Sequence, residues 1–132
     1  MSLPKILIVE DEAPLANLLV HAFREEDWEV AVARDGIDCM NRITGFRPDV
    51  IVMDIMMPKL DGIDTTRLIR RNPTHAGTVI VALSARNDLR TREEILEAGA
   101  DLFYEKPFVM NRLVSQVQDA LTQKTGPSRG RK

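Results

Sequence analysis

The chain has 132 residues, 44% hydrophobic and 29% charged, which is enough apolar material for one packed core and too much for a disordered polymer. With 18 basic residues against 20 acids the formal net charge is -2, so a general nucleic-acid binder is excluded. The longest apolar runs, Ile6 to Val9 and Val79 to Leu83, are far short of the ~20 residues that span a bilayer.

Taken in chain order, Lys5 to Val9 predicts a strand, followed by the acids Glu10, Asp11 and Glu12. Leu15, Leu18, Leu19, Ala22 and Phe23 then recur at helical spacing, with Pro14 suited to the first turn. Glu29 to Ala33 is a second strand, and Ile37, Met40 and Ile43 mark a second helix ending at Gly45. Asp49 to Asp54 is a third strand, apolar over Val50 to Met53. Met57-Pro58 and Asp61-Gly62 punctuate a loop before a third helix, Ile63 to Arg71. Thr78 to Leu83 is the fourth strand and Asp88 to Ala98 the fourth helix, ended by Gly99; Asn87 or Asp88 suits its N-cap better than Ser84. Leu102 to Glu105 is a short fifth strand, and Met110, Leu113, Val117 and Leu121 give the last helix its stripe. Residues 124–132 carry four basic residues, no acid and no apolar anchor, and read as a basic flexible tail or linker. One folded domain is therefore expected over residues 1–123, with a charge of about -6 by counting.

Five strand–helix pairs with continuous apolar central strands predict an α/β fold, a parallel sheet covered on both faces, with right-handed crossovers. Ligands of such sheets bind outside the carboxyl ends of the strands. The polar residues line up there: Glu10 and Asp11 after the first strand, Asp54 ending the third, Ser84 after the fourth and Lys106 after the fifth. A carboxylate cluster of this kind needs a compensating cation, and all-oxygen donors point to Mg2+ or Mn2+ rather than zinc. Lys106 and Ser84 add a fixed positive charge and a hydroxyl, which suits a phosphate held against the metal. A carboxylate in that position can also act as a nucleophile. Cys39, beside Met40, reads as a small buried hydrophobe, and one cysteine with two histidines can form neither an internal disulfide nor a structural zinc site. His21, His75 and Trp28 receive no role. No signal-like segment opens the chain, so a cytoplasmic location is expected.

Over residues 4 to about 123 the chain resembles the receiver domain of two-component response regulators. The resemblance is carried by Ile6-Leu7-Ile8-Val9-Glu10-Asp11-Glu12, by Asp49 through Pro58, and by Asp61-Gly62, Leu83-Ser84-Ala85-Arg86, Gly99-Ala100-Asp101 and Lys106-Pro107-Phe108, all in order. It implies a (βα)5 flavodoxin-like, doubly wound sheet of order 2-1-3-4-5. It implies that Asp54 accepts a phosphoryl group from a sensor histidine kinase, a phosphotransfer protein or a small acyl phosphate. Asp11 would ligate Mg2+ with Asp54 and the Met56 carbonyl, and Glu10 would bind that metal through water. Lys106 would pair with the phosphoryl oxygens, Ser84 would move its hydroxyl to them, and Phe103 matches the aromatic that turns inward afterwards. A cis Lys106-Pro107 bond is implied as well, and Met56 and Arg86 fall where the family varies its phosphoryl lifetime. The expected product is a switch rather than an enzyme, with autophosphorylation and slow autodephosphorylation. Its fourth helix, fifth strand and fifth helix are read by an effector, with no membrane or direct nucleic-acid contact by this domain.

The sequence also departs from the commonest receiver pattern. Leu102 follows Asp101 where a second acid is usual, and Val109 and Met110 follow Lys106-Pro107-Phe108 where a small polar cap is usual. These residues favour an apolar docking patch for a partner or for a phosphorylation-dependent homodimer over a charged dimer face. A haloacid-dehalogenase-type phosphatase would need a second acid two residues after Asp54, where Met56 stands. A silent pseudo-receiver would lack Asp54, Lys106 or the acidic pair, and all are present. No effector domain follows residue 123 in this sequence, which favours a single-domain regulator over a receiver cut from a longer protein.

Overall fold

The computed structural model describes residues 2–57, 60–86 and 88–125, the side chains of Lys124 and Thr125 excepted. The readings placed on Pro58, Asn87 and residues 126–132 lie outside the described residues. Along the chain the elements are β1 (Lys5–Val9), α1 (Ala13–Glu25), β2 (Glu29–Ala33), α2 (Gly36–Phe46), β3 (Val50–Asp54), α3 (Gly62–Arg71), β4 (Val79–Ser84), α4 (Leu89–Ala98), β5 (Leu102–Glu105) and α5 (Met110–Thr125). A 3-10 turn over Pro73–His75 is the one further element among the described residues. The five strands form one parallel sheet in the order β2-β1-β3-β4-β5.

Side chains alternate between the two faces of each strand, and here both faces are buried. Leu7, Val9, Ile51, Met53, Ile80 and Ala82 face Cys39 and Ile43 of α2, Ile69 of α3 and Ile95 of α4. Ile6, Ile8, Val50, Val52, Val81 and Leu83 face Leu19 and Phe23 of α1 and Leu113 and Val117 of α5. Trp28, just before β2, closes that second cluster edge-on to Phe23, with ring centroids 5.4 Å apart at 79°. Cys39 is fully buried as expected, and burial pushes its thiol up to about 12, with Asp38 adding to the shift.

Helix starts follow the acids that precede them. Asp35, Asp61 and Asp88 each accept a hydrogen bond from the backbone N–H three residues on, at 2.8–2.9 Å. Gly99 ends α4 with φ 118°, a left-handed conformation that only glycine adopts freely. Two helical stripes differ from the expected ones. Leu18 is 60% exposed and Ile37 is 50% exposed, while Ala16 and Gly36 are buried in their place. In both helices the core-facing arc is offset by about one residue, because the small residue allows the closer approach. Gly36 shows this directly: a Cβ there would lie 2.2 Å from the Thr65 hydroxyl and 2.5 Å from the Leu60 carbonyl.

Arg70 ties the lower part of the α3–α4 side together. Its guanidinium donates at 2.9 Å to the carbonyls of Gly99 and His75 and to the Asp101 carboxylate. The same Asp101 oxygen accepts the Ile80 backbone N–H at 2.8 Å. The C-terminal end of α4 is thereby held to α3 and to the start of β4. His75, read from the sequence as a loop residue, is buried in the 3-10 turn that Arg70 fixes.

Candidate functional site

The strand registers bring the carboxyl ends of β1, β3, β4 and β5 to one edge. Asp54 pairs with Leu83, and the next residue, Ser84, pairs with Glu105. Continuing the alternation past the strand ends puts Glu10, Asp54 and Lys106 in phase with the side chains that face α1 and α5. Ser84 and Phe103 are in phase with those that face α2, α3 and α4. Simple parity thus sorts the expected site residues into two sets.

The first set converges. Lys106 Nζ lies 3.3 Å from Asp54 Oδ2 and 3.5 Å from Glu10 Oε1. Carboxylate oxygens of Glu10, Asp11 and Asp54 all lie within 4.8 Å of one another. Glu10 and Asp54 are buried, at 2% and 4% exposure, whereas Asp11 is exposed. Backbone donors hold the two buried carboxylates: Met56 N–H donates to Asp54 Oδ1 at 3.1 Å, and Glu12 N–H donates to Glu10 Oε2 at 3.2 Å. Lys106 is positioned by its own N–H, which donates to the Ser84 carbonyl at 2.8 Å; the Lys106-Pro107 bond that follows is cis.

One ammonium pairs with two of three clustered acids, and the protonation equilibria show the deficit. Burial and the Asp54 charge raise Glu10 from 4.5 to about 7. Burial also raises Asp54, with Lys106 and the Met56 N–H pulling the other way. For Lys106, burial disfavours the charge, but Asp54 and Glu10 outweigh it and the ammonium is held above its ordinary value. A cluster of oxygen donors with a net negative charge, two members desolvated and none a nitrogen or sulfur ligand, fits a hard divalent cation such as Mg2+.

The second set stands apart. Ser84 is fully buried, and its Oγ accepts the Arg86 N–H at 3.0 Å. Phe103 is half-buried, against the α2–α4 side of the core, with the Arg92 guanidinium 5.1 Å from its ring centroid. Met56 and Arg86 are both largely exposed and line one cleft with Met57, Asp61, Ile63 and Thr91.

Sequence reasoning did not find the back wall. Gly62 N–H donates to the Ile55 carbonyl at 3.1 Å, and a Cβ on Gly62 would meet the Asp54 carbonyl and Ile55 Cα at 2.7 Å each. The start of α3 is therefore packed directly on the backbone that carries Asp54. In the sequence the Asp61-Gly62 pair marks a loop and one motif of the resemblance, with no sign of this packing. Arg92 and Arg70 were also missed, since an arginine on a helix reads as part of a solvated face.

Comparison with known proteins places these features. Residues 6–118 match the model of the response regulator receiver domain. The transcriptional regulatory protein TrcR of Mycobacterium tuberculosis is 36% identical over 117 residues, which is 89% of this chain and 45% of that protein. The chain spans about half the length of the curated relatives it matches. The receiver domain of the Francisella response regulator 1452 superposes with a TM-score of 0.86 at 31% identity, covering 92% of this chain and 99% of that one. The receiver domain of the sensor histidine kinase PA1611 from Pseudomonas aeruginosa PAO1, solved with a magnesium ion in its active-site cleft, gives a TM-score of 0.83. It is 31% identical and covers 91% of this chain and 98% of that one.

Proposed function

This chain belongs to the response regulator receiver domain family, and from that premise we propose that Asp54 is its phosphoacceptor and that Ser84, Lys106 and Phe103 respond to the phosphoryl group. The observation that carries this reading is the convergence of Lys106 on two buried carboxylates, 3.3 and 3.5 Å away. In the transfer, an Asp54 oxygen forms a new O–P bond as the donor's P–N bond breaks and its electron pair returns to the imidazole. With a small acyl phosphate the broken bond is P–O and the leaving group is the carboxylate. Lys106 stabilises the charge on the transferring oxygens from a fixed position, and Met56 N–H orients the attacking carboxylate. Asp11, Asp54 and the Met56 carbonyl would hold Mg2+ or Mn2+ directly and Glu10 through water. When bound, such an ion offsets the repulsion between the carboxylates and the incoming phosphoryl group.

Once phosphorylated, Asp54 presents strong acceptor oxygens that capture the Ser84 hydroxyl and the Lys106 ammonium. The output is a shift in population of the α4–β5–α5 surface, read by an effector. Slow hydrolysis of the acyl phosphate at the same site resets the switch, with Met56 and Arg86 at the cleft mouth setting its pace. The donor is a sensor histidine kinase or phosphotransfer protein. An apolar groove formed by Leu15, Leu18, Pro107, Phe108 and Met110, and reaching Lys106, supports docking of a protein donor there. Val109 is 64% exposed beside this groove, whereas Leu102 and Met110 are half-buried. Phosphorylation-dependent self-association, tested by sedimentation with Val109→Asp as control, would use that edge. No helix among the described residues is long and apolar enough to cross a membrane.

Intact-mass measurement after incubation with acetyl phosphate and Mg2+ tests the central reading. Gain of one phosphoryl group, abolished by Asp54→Ala and by metal removal, is expected. No gain under conditions that label a known receiver would refute it.

A further inference from the structure

Three arginines stand at or near the start of α4, and two are engaged by acids. Arg86 pairs with Asp88 at 3.5 Å and Arg90 with Glu94 at 3.8 Å. Arg92 makes no ion pair among the described residues; its guanidinium sits over the Phe103 ring instead, 5.1 Å from the centroid. That distance lies within the range in which the quadrupole of an aromatic face attracts a cation. The contact joins two elements by side chains alone, since Arg92 belongs to α4 and Phe103 to β5. The far end of α4 is already fixed, by the Arg70 bond to the Gly99 carbonyl. At the near end the cap is local: Asp88 accepts from Thr91 N–H within the same turn. The Arg92–Phe103 contact is therefore a tie between the first half of α4 and the strand that leads to Lys106.

We propose that Arg92 is a latch: its guanidinium holds the Phe103 ring in the resting position and must release it, or move with it, before the ring can follow Ser84 toward the phosphoryl group. This inference rests on the reading of Phe103 as the responding aromatic, and it adds regulation of that same site. Arg92 is then a positioning residue that sets the resting bias of the switch, acting through Phe103 and touching no reacting atom. The latch also couples two motions. Any shift of the first half of α4 carries the cation away from the ring, and any inward turn of the ring leaves the guanidinium facing solvent.

A double-mutant cycle tests it, read as affinity for beryllofluoride with Mg2+, a probe that mimics the phosphoryl group on a carboxylate. Titrations of wild type, Arg92→Gln, Phe103→Leu and the double variant by calorimetry supply the four corners. Loss of an exposed cation–π contact from the resting state should tighten binding by about 2- to 5-fold in Arg92→Gln. Arg92→Gln should have no effect in the Phe103→Leu background, and Arg92→Lys should fall between wild type and Arg92→Gln. An exposed arginine with only a structural role would move the melting temperature and leave this affinity alone. Unchanged affinity in Arg92→Gln, or the same change in both backgrounds, overturns the latch. A wild-type protein that takes up neither beryllofluoride nor a phosphoryl group overturns the reading of the site itself, so the two failures are distinct.

Discussion

Neutralising Asp54 should stabilise the metal-free protein, and increasingly so as pH rises. In the fold Glu10 moves from 4.5 to about 7, which at ~1.4 kcal/mol per pH unit is about 3 kcal/mol between its protonation states. The sign follows from the direction of the shift. A carboxyl raised on folding contributes stability that is fully present below about 4.5 and is lost as pH rises through about 7. Asp54 is raised too, so its own ionisation costs the fold in the same direction despite the Lys106 ammonium at 3.3 Å. Asp54→Asn removes that cost together with the second-largest cause of the Glu10 shift, while burial, the largest, remains. The expected gain at pH 8 is about 1–2 kcal/mol, roughly 5 °C in Tm for a chain of this size. Urea and thermal unfolding at pH 5, 6, 7 and 8 with a chelator present would read it as the difference between variant and wild type. Contributions common to both chains, such as that of Asp88, whose carboxyl the Thr91 N–H holds low, drop out of that difference. Mg2+ should then stabilise wild type more than the variant, which has lost one of the proposed ligands. A difference that is flat with pH, or equal Mg2+ responses, would refute the charge balance described for this site.

Three further outcomes are expected. Gly62→Ala should destabilise the fold by about 1–3 kcal/mol and slow labelling by acetyl phosphate, because its Cβ would press on the backbone of Asp54 and Ile55; urea unfolding and intact-mass time courses would show both. Arg70→Ala leaves Asp101 without its cation and the Gly99 carbonyl without its donor, while the His75 carbonyl keeps the Thr78 N–H at 3.2 Å; the expected loss is about 2–4 kcal/mol by urea unfolding, with hydrogen exchange rising first at the C-terminal end of α4. Cys39, fully buried with its thiol pushed up to about 12, should resist a thiol reagent in the native state and react at once in denaturant.

Strand positions and the acids that end them were legible because a run of Ile, Val and Leu broken by Asp54, or by Glu10, marks both the element and its boundary. The order of the sheet came from the resemblance and agrees with the structure. Helical faces were legible to within one residue. Periodicity shows that α1 and α2 are amphipathic, but whether Ala16 or Leu18, and Gly36 or Ile37, turns inward depends on how closely the neighbours approach. The chemistry of Glu10 was not legible. The resemblance implied a water-mediated metal contact for it, yet its raised protonation follows from burial, which is a property of the packed molecule. Arg70 and Arg92 were invisible for a different reason. Each reaches a partner in another element, Arg70 across 29 residues to Gly99, and a long side chain leaves no local pattern of such a contact.

The absence of a side chain on Gly62 has a consequence for how this protein can vary. Behind the proposed phosphoacceptor, Gly62 meets the main chain of Asp54 and Ile55 directly, so a side chain added there would first have to move the strand that carries Asp54. The front is different: the side chains of Met56 and Arg86 stand largely in solvent at the cleft mouth, and the one ion pair there, Arg86 with Asp88 at 3.5 Å, is exposed. Tolerance of substitution is thus expected on one side only. The frame is closed to mutation, while the entrance is open to it at little structural risk. A site divided in this way can change at its mouth while the strand behind it keeps its place.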